Sequence, residues 1–173
     1  MSIGHLMVKI KQAVFDAGPF IHLSEINHLA TLVLFEKILT TPEIFEECKK
    51  IQTTLHKIKN ILLRELDSKH KDLTKYFIER YEIHLGEATG LALCKQEQTK
   101  LFFTDDLSAR ETAYALGFES HGTIAIILRA FREKILNKNH AKEAINALHQ
   151  KSSLFFTKDL HDWTLRELEK YSD

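Results

Sequence analysis

The chain has 173 residues, and 44% of them are hydrophobic, which supports a full core and makes disorder unexpected. Its 24 Lys+Arg balance 24 Asp+Glu to a formal net charge of zero, which argues against a strongly basic nucleic-acid glove or a polybasic membrane binder and leaves room only for a local basic patch. No apolar run approaches the roughly 18 residues of a membrane span, and Met1 to Ile10 has no apolar stretch followed by a small-residue cleavage site, so neither a membrane partner nor a signal peptide is expected. Cys48 and Cys94 lie among apolar positions of helical spacing and read as core thiols of a reduced cytoplasm. Two prolines and six glycines point to long helices and few elaborate turns.

In chain order, the first signal is Ala13-Val14-Phe15, a short apolar run fit for a buried strand, stopping at Asp16 and Ala17-Gly18-Pro19. A helix with Phe20, Leu23 and Ile26 on one face follows, so Asp16 falls at the carboxyl end of a strand, the edge where open α/β sheets bind ligands. Leu29 to Leu39 reads as the end of a helix and a short strand. Thr40-Thr41-Pro42-Glu43 is a helix start, with a hydroxyl cap, an early proline and an acid in the first turn. Behind it Ile44, Cys48, Ile51, Leu55, Ile58 and Leu62 are spaced as one helical stripe, read as core or, more sharply, as a dimer seam. Ser68 to Lys71 and Asn137 to His140 read as loops.

A further helix starts after His84, with Glu87 in its first turn and Leu85, Ala88, Leu91 and Ala92 on one face. Leu101-Phe102-Phe103 is a compact strand ending in Thr104-Asp105-Asp106, and the helix after it closes at Gly117. A short strand at Phe118 to His121, a helix opened by Gly122-Thr123 and two helices near 140–149 and 158–171 complete the chain. Strands alternating with helical stripes predict an α/β protein, a three-layer α/β/α sandwich with a short, mostly parallel sheet. The expectation is one domain over 1–173, with a core at about 11–136 and C-terminal helices over 137–173.

Acids stand at strand ends or helix starts at Asp16, Glu47, Glu87 and Asp105-Asp106. In a parallel sheet these positions share one edge, so the carboxylates converge although they are far apart in sequence. Clustered carboxylates repel and raise one another's pKa, and the usual relief is a hard divalent cation, Mg²⁺ or Mn²⁺, which suits phosphodiester hydrolysis. Taken singly, each acid can instead complement a helix dipole or act as an N-cap.

The segments Val14-Phe15-Asp16-Ala17-Gly18-Pro19-Phe20-Ile21-His22-Leu23, Leu85-Gly86-Glu87-Ala88 and Phe103-Thr104-Asp105-Asp106-Leu107-Ser108-Ala109-Arg110 resemble the PIN-domain superfamily, as do Ala115-Leu116-Gly117 and His121-Gly122-Thr123. The resemblance is to its branch of small stand-alone prokaryotic proteins described as nucleic-acid-binding, and it runs from about residue 11 to 136. It implies a metal-dependent endoribonuclease that holds Mg²⁺ or Mn²⁺ on an acidic cluster and cleaves RNA to leave a 5′-phosphate. Many members are homodimers and many are toxins of toxin–antitoxin pairs, so the resemblance further implies a homodimer and a toxin restrained by an antitoxin protein, in the cytoplasm that the reduced cysteines already suggest.

By position the resemblance makes Asp16, Glu47, Glu87 and Asp106 catalytic, with Glu46 the register alternative to Glu47. Asp16, Glu87, Asp105 and Asp106 would be metal ligands, and Thr104, Arg110 and Thr123 would contact substrate or support the ligands. Gly90 departs from the family pattern at a helical cost of roughly 1 kcal/mol, Ala125 replaces a frequent glycine, and residues 50 to 80 are longer than the minimal pattern.

Arg110 lies one helical turn after Asp106 and either pairs with a site acid or touches phosphate. Arg129, Arg132, Lys134 and Lys138 form a basic stretch, either an RNA contact or a solvated face. His84 and Glu87 are spaced for a zinc pair, but no H-E-x-x-H or C-x-x-C accompanies them. The alternative function is a non-catalytic PIN-like module that binds nucleic acid or acts as a scaffold, which the neutral net charge favours.

Overall fold

A computed structural model describes residues 7–171, so most of the Met1–Ile10 stretch read for a leader lies outside the described residues. Five strands form one all-parallel sheet in the order β3-β2-β1-β4-β5. They are β1 (Ile10–Phe15), β2 (Phe35–Thr40), β3 (Ile61–Leu63), β4 (Leu101–Phe103) and β5 (Glu119–His121). The helices are α1 (Ala17–Glu25), α2 (Pro42–Glu47), α3 (Gln52–Leu55), α4 (Ser68–Tyr81), α5 (Leu85–Gln96), α6 (Leu107–Ala115), α7 (Thr123–Arg132), α8 (Lys138–Lys151) and α9 (Lys158–Glu169). A 3-10 turn over Leu29–Leu34 precedes β2.

The β period of two divides the sheet's side chains between two cores. Ala13 and Phe15 of β1 and Phe103 of β4 join Phe20, Leu23, Ile127, Ala130, Ile145 and Leu168 on the face covered by α1, α7, α8 and α9. Val14, Leu39 and Phe102 point the other way, into Phe77, Leu91, Ala92, Ala109 and Ala113 of α4, α5 and α6. The result is the three-layer α/β/α sandwich expected from the alternating pattern.

Registry levels the strand ends. Phe15 pairs with Phe103, Phe103 with His121, and Thr40 with Leu63. The bonds continue one residue further, with the Asp16 amide donating to Phe103 O at 2.9 Å and the Thr104 amide to His121 O at 2.9 Å. Beneath this edge the Phe15 ring stacks on Phe103 at 4.8 Å, and Phe35 meets them edge-on at 5.0 and 5.1 Å. Each such pair contributes about 0.5–1.5 kcal/mol beyond area burial, so the residues that carry the first and fourth strand ends stand on a rigid floor.

Three local expectations are corrected. The stripe from Ile44 to Leu62 is not one helix: α2 ends at Glu47, α3 is a single turn, and Leu62 lies in β3. Ile44, Cys48 and Leu55 are buried as that spacing requires, but pairing of Ile61–Leu63 with β2 overrides helical continuity. Asn60 locks the entry to β3 by donating to Leu32 O and Phe35 O at 2.9 and 2.8 Å. Ser68–Lys71 opens α4 rather than forming a loop, because Asp67 caps the His70 amide at 2.9 Å. Likewise Asn137 caps the His140 amide at 2.8 Å and starts α8.

Gly90 is required where helix propensity alone disfavours it. A Cβ there would stand 2.8 Å from Phe102 Cε2 and 3.2 Å from Ile44 Cδ1, so its absence lets α5 press on β4 and α2.

Candidate active site

The level strand ends bring the predicted acids to one edge. Asp16 follows β1, Thr104-Asp105-Asp106 follows β4, Glu47 ends α2, and Glu87 lies in the first turn of α5. Asp16 and Glu87 are buried, at 7% and 8% exposure, while Glu47 and Asp106 are exposed at the mouth.

Asp16 occupies the N-cap position of α1 yet makes no side-chain capping bond. Its Oδ2 instead accepts the Thr104 hydroxyl at 2.8 Å, and Thr104 Oγ1 in turn accepts the Asp106 amide at 3.2 Å. Fully buried Thr104 thus ties the two acids together. Burial pushes the Asp16 carboxyl above the usual carboxylate range; the Thr104 and Ala17 bonds oppose it, and the charges of Asp106 and Asp105 add to it.

Glu87 accepts the His84 amide at 2.9 Å, half of a capping box. Its carboxyl is pushed up by burial first, with the His84 bond opposing, and then by the charges of Asp106 and Asp16. Glu47 is pushed up by partial desolvation and then by Asp16, while His84 opposes. Its carboxylate lies against Gly86, in space that a Cβ at that position would fill. Glu46 faces solvent and pairs with Lys49 at 2.9 Å, so Glu47 is the acid this edge gathers. The same field reaches Cys48, whose thiol is pushed up to about 12 by burial and by Asp16 and Glu47; an inert core thiol is the result.

Asp105 differs from the other acids. Its Oδ1 accepts the Thr123 amide at 2.7 Å, while its Oδ2 accepts the Thr123 hydroxyl at 2.6 Å and lies 2.7 Å from His22 Nδ1. Burial raises its pKa, but the bonds from His22 and Thr123 together outweigh that and hold it below the usual range. Asp106 also serves as a cap, accepting the Ala109 amide at 2.9 Å. Arg110 is half-buried and donates Nε to Thr104 O at 3.3 Å, so it is anchored on the backbone that follows β4.

The geometry therefore gathers Asp16, Glu47, Glu87, Asp105 and Asp106 with Thr104, Thr123 and Arg110. It leaves Arg129 elsewhere, bound to Glu133 at 2.8 Å and to Val8 O at 3.2 Å. His22 was missed in the sequence because nothing in the spacing of a helical histidine predicts a partner 83 residues away. Gly86 and Gly122 belong to segments that resemble the family, but nothing in the sequence gives their missing Cβ a role; a Cβ at 122 would meet Arg110 and Asp105.

As the side chains stand, no group of three or more His, Cys, Asp or Glu among the described residues is gathered closely enough to hold a metal ion. The donor chemistry nonetheless fits a hard divalent cation. Asp16, Glu47, Glu87 and Asp106 offer oxygen only, three of them are pushed up by burial and by each other's charge, and among the described residues none of the four forms an ion pair. No helix among the described residues is long and apolar enough to cross a membrane.

Searches of curated proteins and of solved structures each find no match. A family model described as PIN domain matches residues 12–170. PIN domains have a nuclease fold and typically use divalent metals. With that match spanning nearly the whole chain and every edge residue above inside it, this chain belongs to the PIN-domain family.

Proposed function

We propose that the protein is an endoribonuclease that hydrolyses RNA phosphodiesters with Mg²⁺ or Mn²⁺ held by Asp16, Glu47, Glu87 and Asp106. The observation that carries this reading is Asp16: a carboxylate 7% exposed, at an N-cap it does not cap, next to other acids and without a cationic partner among the described residues. Such a group costs stability unless something positive joins it.

Held by these four carboxylates, a divalent cation would supply water of lowered pKa and neutralisation of the charge developing at phosphorus. The chain's own residues do the rest. Thr104 fixes Asp16 by donating its hydroxyl to Oδ2. The His84 amide fixes Glu87, and the Ala109 amide fixes Asp106, so both carboxylates are aimed before any ligand arrives. Arg110, held by Thr104 O, presents its guanidinium to a phosphate at the mouth. Arg64, exposed directly after β3 at the same edge, offers a second phosphate contact on a chain without net positive charge. Restraint by an antitoxin protein and pairing into a homodimer belong to the same proposal.

The alternative, a non-catalytic nucleic-acid-binding module, draws on the capping bonds of Glu87 and Asp106. Cleavage of a labelled single-stranded RNA in Mn²⁺ by wild type and Asp16→Asn separates the two. The nuclease loses at least about 100-fold in rate with its circular dichroism unchanged; equal rates, or RNA binding without cleavage by wild type, support the binding module.

A further inference from the structure

We propose that His22 is a positioning residue of this site, acting through Asp105 to lock the acidic edge into its working shape. The inference rests on the nuclease reading for its effect on catalysis, while the contact itself stands on geometry alone.

Three elements meet at Asp105. His22 comes from α1, Asp105 from the turn between β4 and α6, and Thr123 from the first position of α7. The three contacts are short, at 2.6 to 2.7 Å. They involve side chains shielded from water: His22 and Asp105 are 12% and 7% exposed at the side chain, and Thr123 is fully buried. A carboxylate offers about four lone-pair sites, and three are taken here, so Asp105 has little left for a ligand of its own. Its role is to hold α1, α6 and α7 together around their neighbours.

Those neighbours are the reacting groups. Asp105 precedes Asp106 and follows Thr104, the residue that binds Asp16. Asp16 is the residue before α1, the helix that carries His22. The His22 contact therefore closes a loop: Asp16, α1, His22, Asp105, Thr104 and back to Asp16. Gly18 of the same helix lies beside Asp105, where a Cβ would be in ordinary contact at 3.5 Å. Gly122 leaves the space in which Asp105 and Arg110 sit together. With Asp105 ionised, Nδ1 of His22 is the protonated ring nitrogen and donates; the tautomer follows from the acceptor it faces. Partners that orient metal-binding carboxylates without touching the metal typically change metal affinity or activity by about 10–100-fold when removed.

The test compares His22→Ala, His22→Asn and Thr123→Val with wild type. Asparagine places an N–H near the position of Nδ1, so it keeps the contact without the ring; valine removes the Thr123 hydroxyl and keeps its amide and shape. In metal-free protein, the Thr123 amide proton resonates far downfield and exchanges slowly in wild type and His22→Asn, and loses both properties in His22→Ala. Mn²⁺ titration followed by thermal shift gives an apparent Kd weakened about 10-fold or more in His22→Ala and Thr123→Val, with His22→Asn close to wild type. RNA cleavage falls in kcat by a similar factor, with KM for RNA little changed.

An unaltered Thr123 amide in His22→Ala, or Mn²⁺ affinity and kcat equal to wild type, overturns the proposal. Failure of His22→Asn to restore them overturns it too, since ring packing rather than the hydrogen bond would then be at work. If His22→Ala does not fold, Thr123→Val and His22→Asn decide the matter alone. A wild type that neither binds Mn²⁺ nor cleaves RNA defeats the nuclease reading instead, and the amide signal still judges the lock.

Discussion

Thr104 carries more of the site than its small side chain suggests. Its hydroxyl donates to Asp16 and accepts from the Asp106 amide, and it is fully buried. Thr104→Val keeps the shape and strands both partners, so unfolding free energy should fall by about 1–3 kcal/mol; Thr104→Ser should retain most of it. Equal denaturant midpoints for the valine variant and wild type would remove the relay. Glu87 gives a pH signature in the metal-free protein. Its pKa is raised in the folded state, by burial first and then by Asp106 and Asp16, so the folded protein holds that proton more tightly than the unfolded chain. The stability this confers is complete below the unfolded value of about 4.3 and is lost as pH rises through the folded value. Glu87→Gln keeps an acceptor for the His84 amide and carries no charge, so it should raise Tm at pH 7, with the gain vanishing by about pH 4. A difference that does not change with pH would contradict the raised value.

At the scale of elements, two glycines in α5 have opposite tasks. Gly90 faces the Phe102 ring and Ile44, and both are buried side chains without room to move. Gly90→Ala gains roughly 1 kcal/mol of helix propensity and incurs about 1–3 kcal/mol of overpacking, so the expected result is a lower Tm despite the better helix former. Gly86 faces only the end of the Glu47 side chain, which is flexible and exposed. Gly86→Ala should therefore leave Tm unchanged or raised and displace Glu47, reducing Mn²⁺-dependent cleavage about 10-fold or more. Thermal melts paired with cleavage rates separate the two glycines, and loss of stability in Gly86→Ala would show that the Glu47 placement is misassigned.

Much of this was legible in the sequence for definable reasons. Ala13-Val14-Phe15-Asp16 and Leu101 to Asp106 were readable because a short apolar run stopped by an acid is a local signal of a strand end. The edge they share followed from parallel pairing. β3 was illegible because Ile61–Leu63 owes its strand to β2 and to Asn60, and the apolar spacing around it mimics a helix. The starts of α4 and α8 were hidden because capping residues and loop residues are the same types, Asp67 and Asn137 among them. His22 and Asp105 were unreadable as a pair because only the folded chain brings α1 to the end of β4.

At the scale of the molecule, two phenylalanine-rich cores hold a parallel sheet whose carboxyl edge concentrates negative charge, although the chain as a whole is neutral. Crowded, partly buried carboxylates at this edge cost local stability, and on the proposed reading a divalent cation should restore it. Titration of Mn²⁺ into the metal-free protein, followed by thermal unfolding with Asp16→Asn alongside, measures this most directly. A native-state ligand at 100 times its Kd stabilises by about 2.7 kcal/mol, which for a chain of this size is a rise of about 5–11 °C. Wild type should show that saturable rise and Asp16→Asn should not; a wild type whose Tm is indifferent to millimolar Mn²⁺, or an Asp16→Asn protein that responds equally, would contradict a carboxylate-held cation at this edge.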